Sequence, residues 1–133
     1  MKRTVIILAS LFAACTAYAQ TEFGGVVRLD KTVHDFGTVD VKDGAVSCSF
    51  TVTNIGEDTL NIFAVTSTCG CTTAKWTRSD IAPGEAGQID VTFTNDEGPY
   101  PFDKTLTVYL SALSRPVILH IKGTAVKGRK AKK

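Results

Sequence analysis

From residue 20 onward the chain repeats one pattern and avoids another. Apolar side chains recur at every second position, and no stretch places them at i, i+3, i+4 and i+7 over three turns. Val46, Cys48, Phe50 and Val52 alternate with Ser47, Ser49, Thr51 and Thr53. Ile89, Val91 and Phe93 alternate with Gln88, Asp90, Thr92 and Thr94, and Leu106, Val108 and Leu110 with Thr105, Thr107, Tyr109 and Ser111. Side chains of a strand point to opposite faces in turn, so this period predicts strands with one buried and one wet face. Further strands are predicted around Val26 to Leu29 with Thr32 to Phe36, and at Leu60 to Val65, Thr72 to Trp76 and Pro116 to Ala125.

The segments between them carry turn chemistry. Asn54-Ile55-Gly56-Glu57-Asp58, Ala82-Pro83-Gly84-Glu85-Ala86-Gly87 and Asn95-Asp96-Glu97-Gly98-Pro99 supply the positive φ, fixed φ and local side-chain hydrogen bonds that tight turns need. A length of 133 residues provides one core, and 44% hydrophobic against 21% charged residues excludes wholesale disorder. About seven short strands with no helical segment predict an all-β, immunoglobulin-like antiparallel sandwich, with a closed barrel as the alternative. That architecture assigns no function, because the same sandwich hosts adhesion, chaperoning and catalysis.

The N-terminus reads as an export signal over residues 1–19. Lys2 and Arg3 precede an apolar run from Val5 to Ala14, and Ala17-Tyr18-Ala19 offers small residues for cleavage before Gln20. A membrane span needs about 20 apolar residues, and this run breaks at Cys15-Thr16. The expected location is therefore periplasmic or secreted, with no membrane span. Cys15 offers the alternative of a lipid-modified lipoprotein in the outer envelope, against which Phe12 stands where a lipobox prefers leucine. Beyond the signal, residues 20–29 read as an N-terminal segment or first strand, residues 30–126 as the domain, and residues 127–133 as a basic, disordered tail.

Without Lys2 and Arg3 the charges balance at 13 basic and 13 acidic residues. The balance is uneven along the chain: Lys127, Arg129, Lys130, Lys132 and Lys133 crowd the end, leaving residues 20–126 acidic by five charges. An exported, acidic domain is not expected to bind nucleic acid, and its tail is read as a solubilising terminus.

Three cysteines remain after cleavage, Cys48, Cys69 and Cys71, an odd number for an oxidising compartment. If the turn near Glu57 closed a symmetric hairpin, Cys48 would lie level with Thr66. Cys69 would then fall about 10 Å past it at 3.3 Å per residue, beyond the roughly 7 Å reach of a disulfide. Cys48 is therefore read as a buried thiol. Cys69 and Cys71 sit at i and i+2, where both sulfurs can face one side of an extended chain. They form a candidate disulfide or redox pair if Gly70 takes positive φ, a ring read as strained and easily reduced. They are equally candidate ligands for a soft metal, copper(I) requiring no more than two thiolates. The third alternative is structural, with one cysteine packed below Trp76 and Gly70 serving a bulge. His34 and His120 are expected to point outward and apart, which leaves a closed four-ligand zinc site unfilled.

Other chemistry is absent from the sequence. There is no Gly-x-Ser-x-Gly elbow, His-Glu-x-x-His pair or phosphate-cradling glycine loop, so no catalytic residue is assigned and an enzyme is not expected. The acidic pairs Glu57-Asp58 and Asp96-Glu97 fall in turns and read as solvated. Tyr100 and Phe102 are candidates for an exposed apolar contact or for packing onto the sandwich end.

Several motifs occur in the order of a known family: His34-Asp35-Phe36-Gly37-Thr38-Val39, Phe50-Thr51-Val52-Thr53-Asn54-Ile55-Gly56, Thr68-Cys69-Gly70-Cys71-Thr72 through Trp76, Ile81-Ala82-Pro83-Gly84-Glu85, and Lys104 to Tyr109. Over residues 30–126 the chain resembles the DUF1573 family of exported bacterial proteins of unknown function. The resemblance implies an immunoglobulin-like sandwich related to abnormal-spindle and hydin domains, and brings no activity, cofactor or catalytic residue with it.

Two functions follow as expectations. The first is a non-enzymatic binding or structural module of the bacterial cell envelope, its partner an envelope protein or assembly. The second is a small periplasmic thiol-redox or copper-type soft-metal protein working through Cys69-Gly70-Cys71.

Overall fold

In a computed structural model, which describes residues 20–127, every alternating segment forms a strand. The predicted leader with Cys15, and the basic tail past Lys127, lie outside the described residues. The strands are β1 (Thr21–Phe23), β2 (Val27–Leu29), β3 (Val33–Asp40), β4 (Val46–Asn54), β5 (Ile62–Ser67), β6 (Thr72–Trp76), β7 (Ala86–Phe93), β8 (Pro101–Leu110) and β9 (Val117–Val126). They build a five-stranded sheet in the order β1-β2-β4-β7-β6 and a four-stranded sheet in the order β3-β9-β8-β5.

The inner faces follow the alternation residue by residue. Phe50, Val52, Ile89, Val91 and Phe93 of one sheet, and Leu106, Val108, Leu110, Leu119 and Ile121 of the other, are buried in a single core. Phe93 and Phe102 stack across it with ring centroids 4.3 Å apart. Within the five-stranded sheet Phe50 pairs with Ile89 and Cys48 with Val91, which places the β-branched and aromatic side chains where a pleated, half-buried surface accommodates them.

Two features depart from a simple antiparallel meander. First, β3 pairs with β9 in parallel, Val33 opposite His120 and Asp40 opposite Val126, with a register shift between Asp35 and Thr38. At that shift Gly37 takes φ 69°, and its N–H donates to Asp35 Oδ1 at 2.8 Å. Second, β4 and β5 lie in opposite sheets instead of forming a hairpin. The crossing is organised by Asn54, 1% exposed. Its Nδ2 donates to Asp58 O at 2.7 Å and Ile81 O at 2.9 Å, while its Oδ1 accepts from Gly56 N at 3.0 Å. A buried amide with its polar atoms paired fixes a corner that would otherwise leave backbone groups unsatisfied.

Candidate functional site

The chain changes sheets again between β5 and β6, and Cys69-Gly70-Cys71 is the corner. Thr72 N donates to Cys69 O at 3.2 Å, which closes a four-residue turn over the three residues. The turn draws the Cα atoms of Cys69 and Cys71 to 5.2 Å, against about 6.6 Å for residues i and i+2 of an extended strand, and the two sulfurs are joined in a disulfide. Gly70 lies outside the left-handed region, so the ring closes without the positive φ expected of it. A Cβ there would meet nothing within 4 Å. A ring this short barely restricts the unfolded chain. It is worth less than the roughly 3 kcal/mol of a 15-residue loop, which makes it a poor staple for the sandwich.

The corner is tied to the β7–β8 loop. Thr94 N donates to Cys71 O at 2.8 Å, and the next residue, Asn95, turns the loop with φ 57°, a conformation that asparagine tolerates better than most. Asn95 Nδ2 donates to Asp40 O at 2.9 Å and Gly44 O at 3.0 Å. Two residues on, Glu97 Oε1 lies 3.3 Å from Cys69 Sγ, and Glu97 Oε2 accepts from Lys104 Nζ at 2.8 Å. Gly98, at φ 123°, completes the turn; a Cβ there would sit 2.7 Å from Tyr100 Oη. Donor atoms of Cys69, Cys71 and Glu97 all fall within 4.8 Å of one another, the two cysteines half-buried and the carboxylate exposed.

Glu97 is the residue that sequence reasoning passed over. Its position in an acidic turn read as solvation, and only the pairing of the two loops brings it to the sulfurs. The remaining candidates separate. Cys48 is a free thiol, packed against the core, and burial pushes its pKa up to about 11. It stays apart from the other cysteines because the corner opens into β6, which β7 separates from β4, and not because of a hairpin offset: Cys48 pairs with Val91 of β7, while the corner adjoins Thr72, which pairs with Phe93. Trp76 lies at the far end of β6, with the Arg78 guanidinium 3.9 Å over its ring, and does not cover the cysteines.

His120 faces outward and pairs with Asp103 at 3.0 Å. His34, one register position away on β3, is half-buried instead of outward, edge-on to Phe36 with centroids 4.6 Å apart. Its Nδ1 lies 2.9 Å from Lys31 Nζ, and burial followed by the Lys31 charge holds its pKa below the usual imidazole value. Of the loop aromatics, Phe102 is buried and Tyr100 is exposed.

A second surface stands out. The large exposed hydrophobic side chains of the described residues are Val33, Phe63, Tyr100, Tyr109 and Ile118. Four of them belong to strands of the four-stranded sheet, and none to the other sheet. Tyr109 pairs with Ala64, the residue after Phe63. Ile118 pairs with Thr107, diagonal to Tyr109 on the same face.

Two packed sheets with crossing connections and, among the described residues, no helix longer than one short turn define an immunoglobulin-like β-sandwich domain. Residues 27–125 match the family model described as protein of unknown function, DUF1573, and the chain belongs to that family. A Porphyromonas gingivalis W83 protein of unknown function is similar in structure, with a TM-score of 0.65 and 23% identity over 86% of this chain and 51% of that one. The secreted serine protease VesC from Vibrio cholerae gives 0.62 and 14% over 81% of this chain and 25% of that one. The ASH / PapD-like domain of human CEP192 gives 0.62 and 10% over 79% and 88%. This chain thus spans about half of the first protein and a quarter of the second, and at these identities the likeness is one of fold. No curated protein sequence matches the chain. No helix of the described residues is long and apolar enough to cross a membrane.

Proposed function

We propose that the protein is an exported, non-enzymatic immunoglobulin-like module of the bacterial envelope that docks on another envelope protein through the outer face of its four-stranded sheet. The observation that carries this reading is the segregation of exposed apolar side chains. Phe63 is 66% exposed, Tyr109 44% and Ile118 42%, while the opposite sheet is covered with hydroxyls and charges. Isolated exposed apolar residues are ordinary, but a group of them on one sheet is a feature of association surfaces. Aromatic side chains are also the usual anchors of protein interfaces.

Site-specific photo-crosslinkers placed at Phe63 and Tyr109, and for comparison at Thr51 and Gln88, test the reading in intact cells. A discrete protein adduct from the first pair only, lost on substituting Ile118→Asp, is the expected result. Adducts from both sheets alike, or from neither, overturn it.

A second reading has its own support. The Cys69–Cys71 pair sits at a half-exposed corner where its bond contributes little to stability, which suits reversible thiol chemistry or soft-metal binding better than stapling.

A further inference from the structure

We propose that Cys69 and Cys71, once reduced, bind a divalent metal ion of the zinc class together with the Glu97 carboxylate, leaving a fourth coordination position open. This deepens the thiol reading and is independent of the docking face, since Phe63 and the corner lie toward opposite ends of β5.

The carboxylate is where a shared ion would require it. Tetrahedral zinc with metal–sulfur distances of about 2.3 Å and metal–oxygen distances of about 2.0 to 2.2 Å spaces a sulfur and an oxygen about 3.5 Å apart. Glu97 Oε1 stands 3.3 Å from Cys69 Sγ. In the disulfide form neither atom of that contact carries a proton, so no hydrogen bond holds it. The anchor is the other oxygen, which accepts from Lys104 Nζ at 2.8 Å, an outer partner of the kind that orients ligating carboxylates.

The charges select the ion. Two thiolates and a carboxylate carry three negative charges, and the Lys104 ammonium leaves two. A divalent cation neutralises that set, whereas copper(I) leaves it anionic and has no need of the carboxylate. Thiolates favour zinc among the common divalent ions, and magnesium or calcium would want oxygen donors alone. The half-buried sulfurs and exposed Glu97 leave a path for both reductant and ion.

The chemistry proceeds in two balanced steps. A thiolate of a small or protein dithiol attacks one sulfur and breaks the Sγ–Sγ bond; its second thiol then resolves the mixed disulfide. Two electrons pass to the pair, leaving an oxidised dithiol and two cysteine thiols. The ion next displaces both thiol protons to solvent and forms two metal–sulfur bonds.

Cobalt(II) is the probe, because its thiolate complexes absorb strongly where the free ion does not. The chain beginning at Gln20 is reduced, freed of reductant under argon and titrated, with thiols counted on the same samples. The expected result is one cobalt per reduced chain, displaced by zinc, and none per oxidised chain. Glu97→Gln should weaken binding at least about tenfold while keeping the thiolate band, and Lys104→Met by about tenfold. Cys48→Ala should leave binding unchanged, and Cys69→Ser should abolish it with an unaltered far-ultraviolet spectrum.

Full affinity in Glu97→Gln, or uptake of copper(I) but not cobalt or zinc, overturns the proposal even if the cysteine variant fails to fold. Two new thiols on reduction without cobalt uptake overturn the metal site while leaving the redox reading in place. Failure of the pair to reduce removes both.

Discussion

On the outer face of the five-stranded sheet Ser47 meets Thr92 at 3.1 Å and Ser49 donates to Asp90 at 2.6 Å. On the outer face of the four-stranded sheet Phe63, Tyr109 and Ile118 lie open beside Thr107 and Ala64. The inner faces of the two sheets are chemically alike, both lined by Val, Leu, Ile and Phe. Folding constrains only those inner faces, because burying them drives assembly. The outer faces are free to diverge, and the apolar one is the face proposed above for docking.

The contrast between inner and outer positions breaks most severely in the core. Phe50→Ala or Phe93→Ala should cost about 3 to 5 kcal/mol in denaturant unfolding, whereas Thr51→Ala and Thr92→Ala should stay within about 0.5 kcal/mol. A larger loss at the threonines would invert the faces of the whole five-stranded sheet.

Cys48 sharpens the contrast at the margin of the core. Cys48→Ala should cost about 1 kcal/mol and leave the Cys69–Cys71 bond intact. Its thiol is raised to about 11 from an ordinary value of 9.0, so the unfolded chain ionises before the folded one. Stability from this residue is full below about pH 9 and is lost as pH rises toward 11. A pH-independent difference between the wild type and Cys48→Ala across that range would contradict its half-buried placement. The smallest effect belongs to the four-stranded sheet: Phe63→Ser should change stability by less than about 0.5 kcal/mol. A loss of several kcal/mol would make Phe63 a core residue and remove the proposed docking face.

The faces of these strands were legible because period 2 is a local signal, carried by neighbours such as Phe50 and Thr51. The strand partners were less so. Nothing near Cys48 tells the chain that β4 will pair with β7 and leave β5 to the other sheet; the buried amide of Asn54 holds the crossing through Asp58 O, Ile81 O and Gly56 N, and in sequence Asn54 reads only as a turn residue. The parallel placement of β3 beside β9 joins segments at the two ends of the domain, beyond any local pattern. The candidate site divides the same way. Cys69 and Cys71 announced themselves by spacing, while Glu97 is 28 residues from Cys69 and joins it through the β6–β7 ladder, which ends at Thr72 and Phe93 and continues in the bond from Thr94 N to Cys71 O. Gly70 misled for a different reason: a glycine permits positive φ without requiring it.

The pairing of β3 with β9 also sets a schedule for the molecule. A chain emerging from a ribosome or a translocation channel presents Val33–Asp40 long before Val117–Val126. Throughout that interval the early strand has backbone donors and acceptors with no partner in its own sheet. Such late closure slows folding, since the entropy of joining distant segments is spent before their contacts form. An unpaired strand kept waiting is also a template for the wrong neighbour. The last ten residues of the sandwich therefore act as its latch, and a chain cut short before Val117 would lose the strand that holds β3 in place.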